Sequence, residues 1–414
     1  MDQLTIRLRD IWLLSILNVY LDIPLLIGEN IVIPGIVVIT LLLFAFVVYR
    51  LKVRKIDLII LGVITIVMIS GMIINIGIVK TISYIIKILQ FITAVLTGLL
   101  LYKITIRVDF VFQRRIYGII SLIMVVGAIL EVNNSIVKDL SDAFRRYFFE
   151  NTPWGFYETD GRDIGSVGFD RPEFFTSETS LYALGYLIFS TCYTLLENRR
   201  LYLYLILLLN VIHISFSGSP VSVLTLVTWI AVFVSKRELK LQQLLIILGI
   251  FVAIVPLFSK QILEVFISRL IEETTQTQSS FYSRIYVPYM YTIPNSLTHN
   301  FLLGIGFAGR DVLIAEGSYS MYTDDSQYIL GTNAFARFFA YFGAGGGLLI
   351  LFCLRRFFKM YLLNSTLLLF FIWFVLSQSI GALETPRYWS YCFLIAGVLT
   401  ARSRYEQCHA QLYQ

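Results

Sequence analysis

Leu58-Ile59-Ile60-Leu61-Gly62-Val63-Ile64-Thr65-Ile66-Val67-Met68-Ile69-Ser70-Gly71-Met72-Ile73-Ile74-Asn75-Ile76-Gly77-Ile78-Val79 runs without one ionisable side chain. A helix needs roughly 20 apolar residues to cross about 30 Å of hydrocarbon, so this stretch predicts a transmembrane helix and, with it, a membrane fold. The pattern recurs before it at Ile11 to Ile27 and Ile31 to Tyr49, and after it at Tyr84 to Tyr102 and Ile116 to Leu130. It returns at Leu181 to Leu196, Leu201 to Ser215, Val221 to Val234 and Leu244 to Phe258, then at Ala334 to Leu354, Leu362 to Ser377 and Tyr388 to Ala401. The chain of 414 residues reads as an all-α polytopic membrane protein of about twelve transmembrane helices. Five spans occupy 1–130, four occupy 181–258, and three with a short tail occupy 333–414. Two large loops, 131–180 and 259–332, separate these blocks.

Composition agrees. With 57% hydrophobic and 14% charged residues and a mean hydropathy of +0.76, the chain is far from a soluble globular domain. A formal net charge of +6 suggests nucleic acid until the charges are placed. Arg50, Lys52, Arg54 and Lys55, then Lys103, Arg107, Arg114 and Arg115, fall in connections of one parity. So do Arg199 and Arg200; Lys236, Arg237 and Lys240; Arg355, Arg356 and Lys359; and Arg402 and Arg404. Short connections of the other parity carry only Lys80 and Arg387, while most Asp and Glu lie in the two long loops. The positive-inside rule accounts for this sorting, which places both termini in the cytoplasm and both long loops outside; nucleic-acid binding does not. Arg7 and Arg9 before Ile11 imitate a signal peptide, but Asp22 and Pro24 interrupt the apolar run and no small-residue cleavage site follows, so a retained first helix is expected. Cys192, Cys353 and Cys392 lie in predicted spans and Cys408 in the tail, so no disulfide framework is implied.

In the second loop Leu263, Phe266, Ile267, Leu270 and Ile271 recur at helical spacing. Lys260 to Glu272 is therefore expected as an amphipathic helix on the outer membrane surface, and Thr274 to Ser280 as a linker. A second helix is expected from about Ser280, carrying Arg284 and limited by Pro288 and Pro294.

The first loop closes with Asp170-Arg171-Pro172-Glu173-Phe174-Phe175-Thr176-Ser177-Glu178-Thr179-Ser180. Arg171 either grips a phosphate or carboxylate through two parallel hydrogen bonds or ties the loop down by pairing with Asp170 or Glu173; the spacing leaves both open. Arg284 stands amid tyrosines, where an interfacial anchor competes with a ligand role. Gly304, Gly306 and Gly309 match a dinucleotide-type spacing, but no βαβ pattern surrounds them, so a tight turn against backbone or phosphate is expected. His299 with Asn300 offers a general base or a hydrogen-bonded structural imidazole. Asp324 and Asp325 lack a third ligand, so no metal site is expected and the pair reads as a solvated turn. Lys87 and Asp22 fall within spans, where ionisable groups are costly unless functional or reaching an interface. Phe144, Tyr147, Phe148, Phe149, Trp154, Phe156 and Tyr157 suit stacking on sugars, burial under the loop, or contact with lipid head groups. Gly343 to Gly347 reads as a close helix contact.

Three segments resemble the Wzy-type O-antigen polymerases and the related O-antigen ligases, integral membrane glycosyltransferases of the GT-C class. Arg171 to Ser180 looks like the family's Arg-x-x-x-Phe-x-x-Glu-x-Ser segment at the start of a helix. Ser283-Arg284 followed by Leu302-Leu303-Gly304-Ile305-Gly306-Phe307 looks like its arginine helix and glycine turn, and Thr332-Asn333-Ala334-Phe335 up to Phe342-Gly343 looks like its returning His-Asn segment. Thr332 stands where the ligases carry histidine, which favours the polymerase.

The resemblance implies a GT-C-like fold in the bacterial inner membrane with its active site on the periplasmic face. The implied substrate is an undecaprenyl-pyrophosphate-linked oligosaccharide: a growing glycan moves from the lipid diphosphate to a sugar hydroxyl of the next lipid-linked repeat unit. Arg171 and Arg284 would bind the pyrophosphate, Glu178 or His299 would take the hydroxyl proton, and Asn333, Gly304 and Gly306 would support them. No metal or other cofactor is expected, because fixed cations at a developing anion commonly account for a few kcal/mol of barrier. A chain-length regulator is the expected protein partner. Ligation to lipid A core is the alternative within the family; a lipid-linked oligosaccharide flippase or transporter is the alternative outside it, against which stand the long outer loops and the scarcity of charges in the spans.

Overall fold

The structure, a computed structural model, describes residues 2–27, 31–33, 35–77, 81–150, 171–217, 219–235, 284, 286–308, 312, 333–359, 366–381 and 383–412. Helices dominate, and six are long and apolar enough to cross a membrane among the described residues. The six are α3 (Lys55–Ile74), α4 (Thr81–Thr105), α5 (Phe110–Asn133), α7 (Thr179–Leu196), α8 (Arg200–Ser217) and α11 (Ala334–Lys359). Helix α3 shows why water is the wrong solvent. It buries Ile60, Ile64, Met68 and Gly71 on one face, yet its opposite face exposes Leu58, Ile59, Ile66 and Ile73. A helix apolar all round belongs in hydrocarbon, and the chain is a helical protein built for embedding in a membrane.

Further helices complete the set: α1 (Asp2–Leu21), α2 (Ile36–Val48), α6 (Ser135–Phe149), α9 (Pro220–Ser235), α10 (Ile293–His299) and α12 (Thr366–Ser377), with α13 (Pro386–Leu412) at the end. Several boundaries differ from expectation. The first span stops at Leu21, because Asp22 turns to φ 50°, and Leu25–Ile27 pairs antiparallel with Ile31–Ile33 in a small hairpin. The span expected to reach Val79 ends at Ile74, with Asn75 as its C-cap. Loop 131–180 contains α6, whose Ser141, Arg145 and Phe149 are buried at one-turn intervals and whose first turn is capped by Asn134. Pro288 and Pro294 do not limit a helix. Helical backbone runs through both, since Val287 and Thr292 take αR angles, and a π-turn over Pro288–Thr292 leads straight into α10. The span Leu244 to Phe258, the amphipathic Lys260 to Glu272, the linker after it, Gly309, Asp324, Asp325, Thr332, Trp154, Phe156 and Tyr157 lie outside the described residues.

The chain divides into two compact units. The first comprises Met1–Ala45, Lys103–Arg269 and Leu394–Gln414. Within it α7 is the centre: 83% of its apolar window is buried against 28% for α8, leaving α8 the more lipid-facing of the two. Gly118 and Gly185 admit the rings of Tyr193 and Tyr20, and the Tyr182 hydroxyl donates to the Met124 carbonyl of α5 at 3.1 Å.

The second unit comprises Phe46–Tyr102 and Leu270–Phe393. Its core is aromatic. Phe91 of α4 lies edge-on to Phe307, Phe342 and Trp389 at 5.2, 5.5 and 5.5 Å between centroids. Edge-on pairs add about 0.5–1.5 kcal/mol each beyond area burial, and here they seat the glycine turn against α11.

Candidate functional site

In the first unit Glu173 to Glu178 forms a turn tied down at every step. Phe174 and Phe175 both take positive φ, 38° and 65°, a conformation that side chains disfavour and surroundings must enforce. One oxygen of Glu131 on α5 accepts the N–H groups of Glu173 (3.2 Å) and Phe174 (2.8 Å), Ser141 accepts that of Phe175 (3.1 Å), and the Tyr20 hydroxyl donates to the Phe174 carbonyl (2.6 Å). The Phe174 ring fills the space left by Gly127. Glu173 forms a buried ion pair with Arg145 of α6, which also holds Asp142 at 2.9 Å. Of the two acidic partners weighed for Arg171, Glu173 also pairs with Arg145, and Asp170 is outside the described residues. Arg171 stands half-buried at the start of this turn, and Glu178 ends it as the N-cap residue of α7, accepting the Ser180 hydroxyl. The turn therefore fixes Arg171 and Glu178 on one rigid, strained support. Sequence reading missed Arg145, Glu131 and Ser141; the period of α6 was the available signal for Ser141 and Arg145.

In the second unit Asn333 organises the predicted residues. Its side-chain amide donates to the main-chain carbonyl of Arg284 (2.9 Å) and to Gln378 Oε1 (2.7 Å), and its Oδ1 caps α11 by accepting the Ala336 N–H (3.1 Å). Gln378 Oε1 also takes the Tyr289 hydroxyl (2.9 Å). Burial pushes the Tyr289 phenol above its ordinary value, against the pull of these hydrogen bonds, so it stays a donor at physiological pH.

The glycine turn docks on a break in α11. Gly343 has φ 65° inside that helix, which frees the Ala340 carbonyl to accept the Ile305 N–H (2.9 Å) and the Ser296 hydroxyl (2.8 Å). Beyond the break Ala344 N–H and Gly346 N–H donate to the carbonyls of Phe301 and Leu302, each at 2.8 Å. A Cβ at Gly304 would run into the Ala340 carbonyl oxygen, and one at Gly306 into the Tyr84 hydroxyl. Gly304 is there for backbone approach, as expected of a tight turn, and Gly306 makes room for the Tyr84 ring; their φ are 65° and 66°. The close contact expected of Gly343 to Gly347 holds: Gly346 meets Val67 of α3, while Gly343 and Gly345 meet the Leu302 backbone.

His299 is hydrogen-bonded. Asn75 gives its amide hydrogens to the carbonyls of Gly71 (2.9 Å) and Ile305 (3.2 Å), so the Oδ1 that faces His299 Nε2 at 3.0 Å is an acceptor and Nε2 carries the proton. In the neutral ring Nδ1 then holds the lone pair.

A further charged group lies in this unit. Lys87 of α4 pairs with Glu384 at 3.8 Å, which gives the span lysine a partner. Arg337 and Glu384 both act electrostatically on the Tyr341 hydroxyl, and so does Tyr84, the ring beside Gly306. The second unit thereby brings Arg284, Asn333, Gly304, Gly306 and His299 into one bonded framework; Arg171 and Glu178 belong to the first. No group of three or more His, Cys, Asp or Glu able to hold a metal occurs among the described residues.

These observations define a membrane-embedded helical protein with arginine-bearing segments braced outside its spans. No family model, no curated protein and no solved structure matches the chain.

Proposed function

We propose that this chain is a Wzy-type O-antigen polymerase, a metal-independent GT-C glycosyltransferase of the bacterial inner membrane. One observation carries the reading. The segments with family character that lie in the second unit, around Arg284, Leu302 to Phe307 and Asn333 to Gly343, are far apart in sequence yet bond directly to one another. Asn333 grips Arg284 by its main-chain carbonyl, so in this reading the guanidinium serves the diphosphate.

The reaction follows from charge. The glycan leaves undecaprenyl pyrophosphate as its anomeric C–O bond breaks, so negative charge gathers on phosphate oxygens, and the guanidinium groups of Arg171 and Arg284 offset it. A hydroxyl of the incoming lipid-linked repeat unit attacks that carbon and passes its proton to a base, for which Glu178 and His299 are candidates. The long loops face the periplasm, the chain crosses the membrane about twelve times, and a chain-length regulator is the expected partner.

The test is incubation of the purified protein with a single lipid-linked repeat unit. Growth of the glycan supports a polymerase. Movement of the lipid between leaflets without growth identifies a flippase and ends this reading.

A further inference from the structure

Glu384 sits on the connection between α12 and α13, six residues beyond Gln378, the acceptor for both Asn333 and Tyr289. The same connection is anchored at Ile380, whose carbonyl accepts the Ala334 N–H at 2.7 Å. One Glu384 oxygen faces Lys87 at 3.8 Å; the other, Oε2, is buried with no hydrogen-bond partner. A buried carboxylate oxygen left bare is costly, and such an atom in a native fold calls for an explanation. Glu178, by contrast, takes the Ser180 hydroxyl, and His299 holds Asn75 through Nε2.

Electrostatics decides what Glu384 can receive. A carboxylate repels a diphosphate but accepts neutral hydroxyl donors readily, and the Lys87 ammonium stands beside this one at 3.8 Å. We infer that Glu384, steadied by Lys87, binds a hydroxyl of the acceptor saccharide through Oε2 and is the base of the transfer. As the acceptor oxygen bonds to the anomeric carbon, its proton passes to Glu384, and the electron pair of the broken C–O bond leaves on the lipid diphosphate. The inference rests on the polymerase reading and replaces Glu178 and His299 as its base.

The experiment compares the purified wild-type protein, Glu384→Gln and Glu384→Asp in two measurements: elongation of a lipid-linked repeat unit, and affinity for undecaprenyl pyrophosphate alone. Loss of a general base lowers turnover by about 10²–10⁴-fold. Glu384→Gln is expected to fall in that range while its affinity for the diphosphate stays within about twofold, and Glu384→Asp to fall less. Elongation by Glu384→Gln at the wild-type rate overturns the inference, and so does a joint loss of elongation and diphosphate affinity, which marks a structural tie. Should Glu384→Gln fail to accumulate, Glu384→Asp decides: slowed elongation with intact affinity supports the role, and an unchanged rate refutes it. A wild-type protein that does not elongate fails the polymerase reading itself, independently of both variants.

Discussion

The side-chain amide of Asn333 donates to the Arg284 main-chain carbonyl at 2.9 Å, fixing that arginine's backbone to the first turn of α11. Both amide hydrogens are used, since the second goes to Gln378. Asn333→Asp keeps the oxygen that caps α11 but loses both donors, whereas Asn333→Ala loses the cap as well. Each lost bond is worth about 0.5–1.5 kcal/mol and the cap about 1 kcal/mol, but Asp also sets a buried carboxylate oxygen against the Arg284 carbonyl and Gln378 Oε1, a larger cost, so Asp is expected to be the less stable variant in thermal unfolding. Both are expected to elongate glycan poorly. Full activity in Asn333→Asp would show that the Arg284 backbone needs no such tether.

The glycine turn predicts an order of damage. Gly304→Ala and Gly343→Ala each put a methyl into facing backbone at a positive φ, so both should cost more than about 2 kcal/mol and reduce accumulation in membranes. Gly62 on α3 has nothing within 4 Å of its would-be Cβ, and Gly62→Ala should be neutral or gain up to about 1 kcal/mol of helix stability. Detergent-solubilised melting curves rank the three.

Arg145 is nine-tenths buried or more and balances Glu173 and Asp142. Arg145→Met takes the cation from the buried Glu173, and breaking a buried pair by removing one partner costs about 3–5 kcal/mol. The expected result is faster proteolysis of the 171–178 segment together with weaker elongation. Arg145→Met with wild-type protease resistance would mean that the hydrogen bonds from Glu131 and Ser141 suffice to hold the turn.

His299→Gln separates a tie from a base. A glutamine amide can donate to Asn75 Oδ1 as Nε2–H does, but it cannot take a proton near neutral pH. With Glu384 as base, His299→Gln should keep most of the elongation rate and His299→Ala should lose stability. Equal and severe loss of turnover in both variants, with unchanged melting temperature, would return the base to His299.

Hydrophobic runs made the helices legible in the sequence, because spanning length and absence of charge are one-dimensional signals that need no partner. Helix ends were less so: Asp22 and Asn75 end helices through positive φ and a C-cap, which residue type alone does not specify. The purpose of the glycines was legible as close backbone approach, but not that they meet a break in α11 at Gly343, since that contact joins residues some forty apart. Glu131 and Glu384 escaped notice because each is isolated in sequence; only burial and a distant partner reveal them. Prolines misled, since helical backbone passes through Pro288 and Pro294 by way of a π-turn, a widening that residue type does not announce.

The most direct test reconstitutes wild-type protein, Arg171→Ala, Arg284→Ala and Arg284→Lys at matched abundance with one lipid-linked repeat unit and resolves the products by length. A ladder of lengthened glycans is expected from the wild type, none from either alanine variant, and at most a trace from Arg284→Lys, whose ammonium lacks the paired donors of a guanidinium. Ladders of wild-type length from the alanine variants would contradict the claim that these two arginines carry the lipid diphosphate.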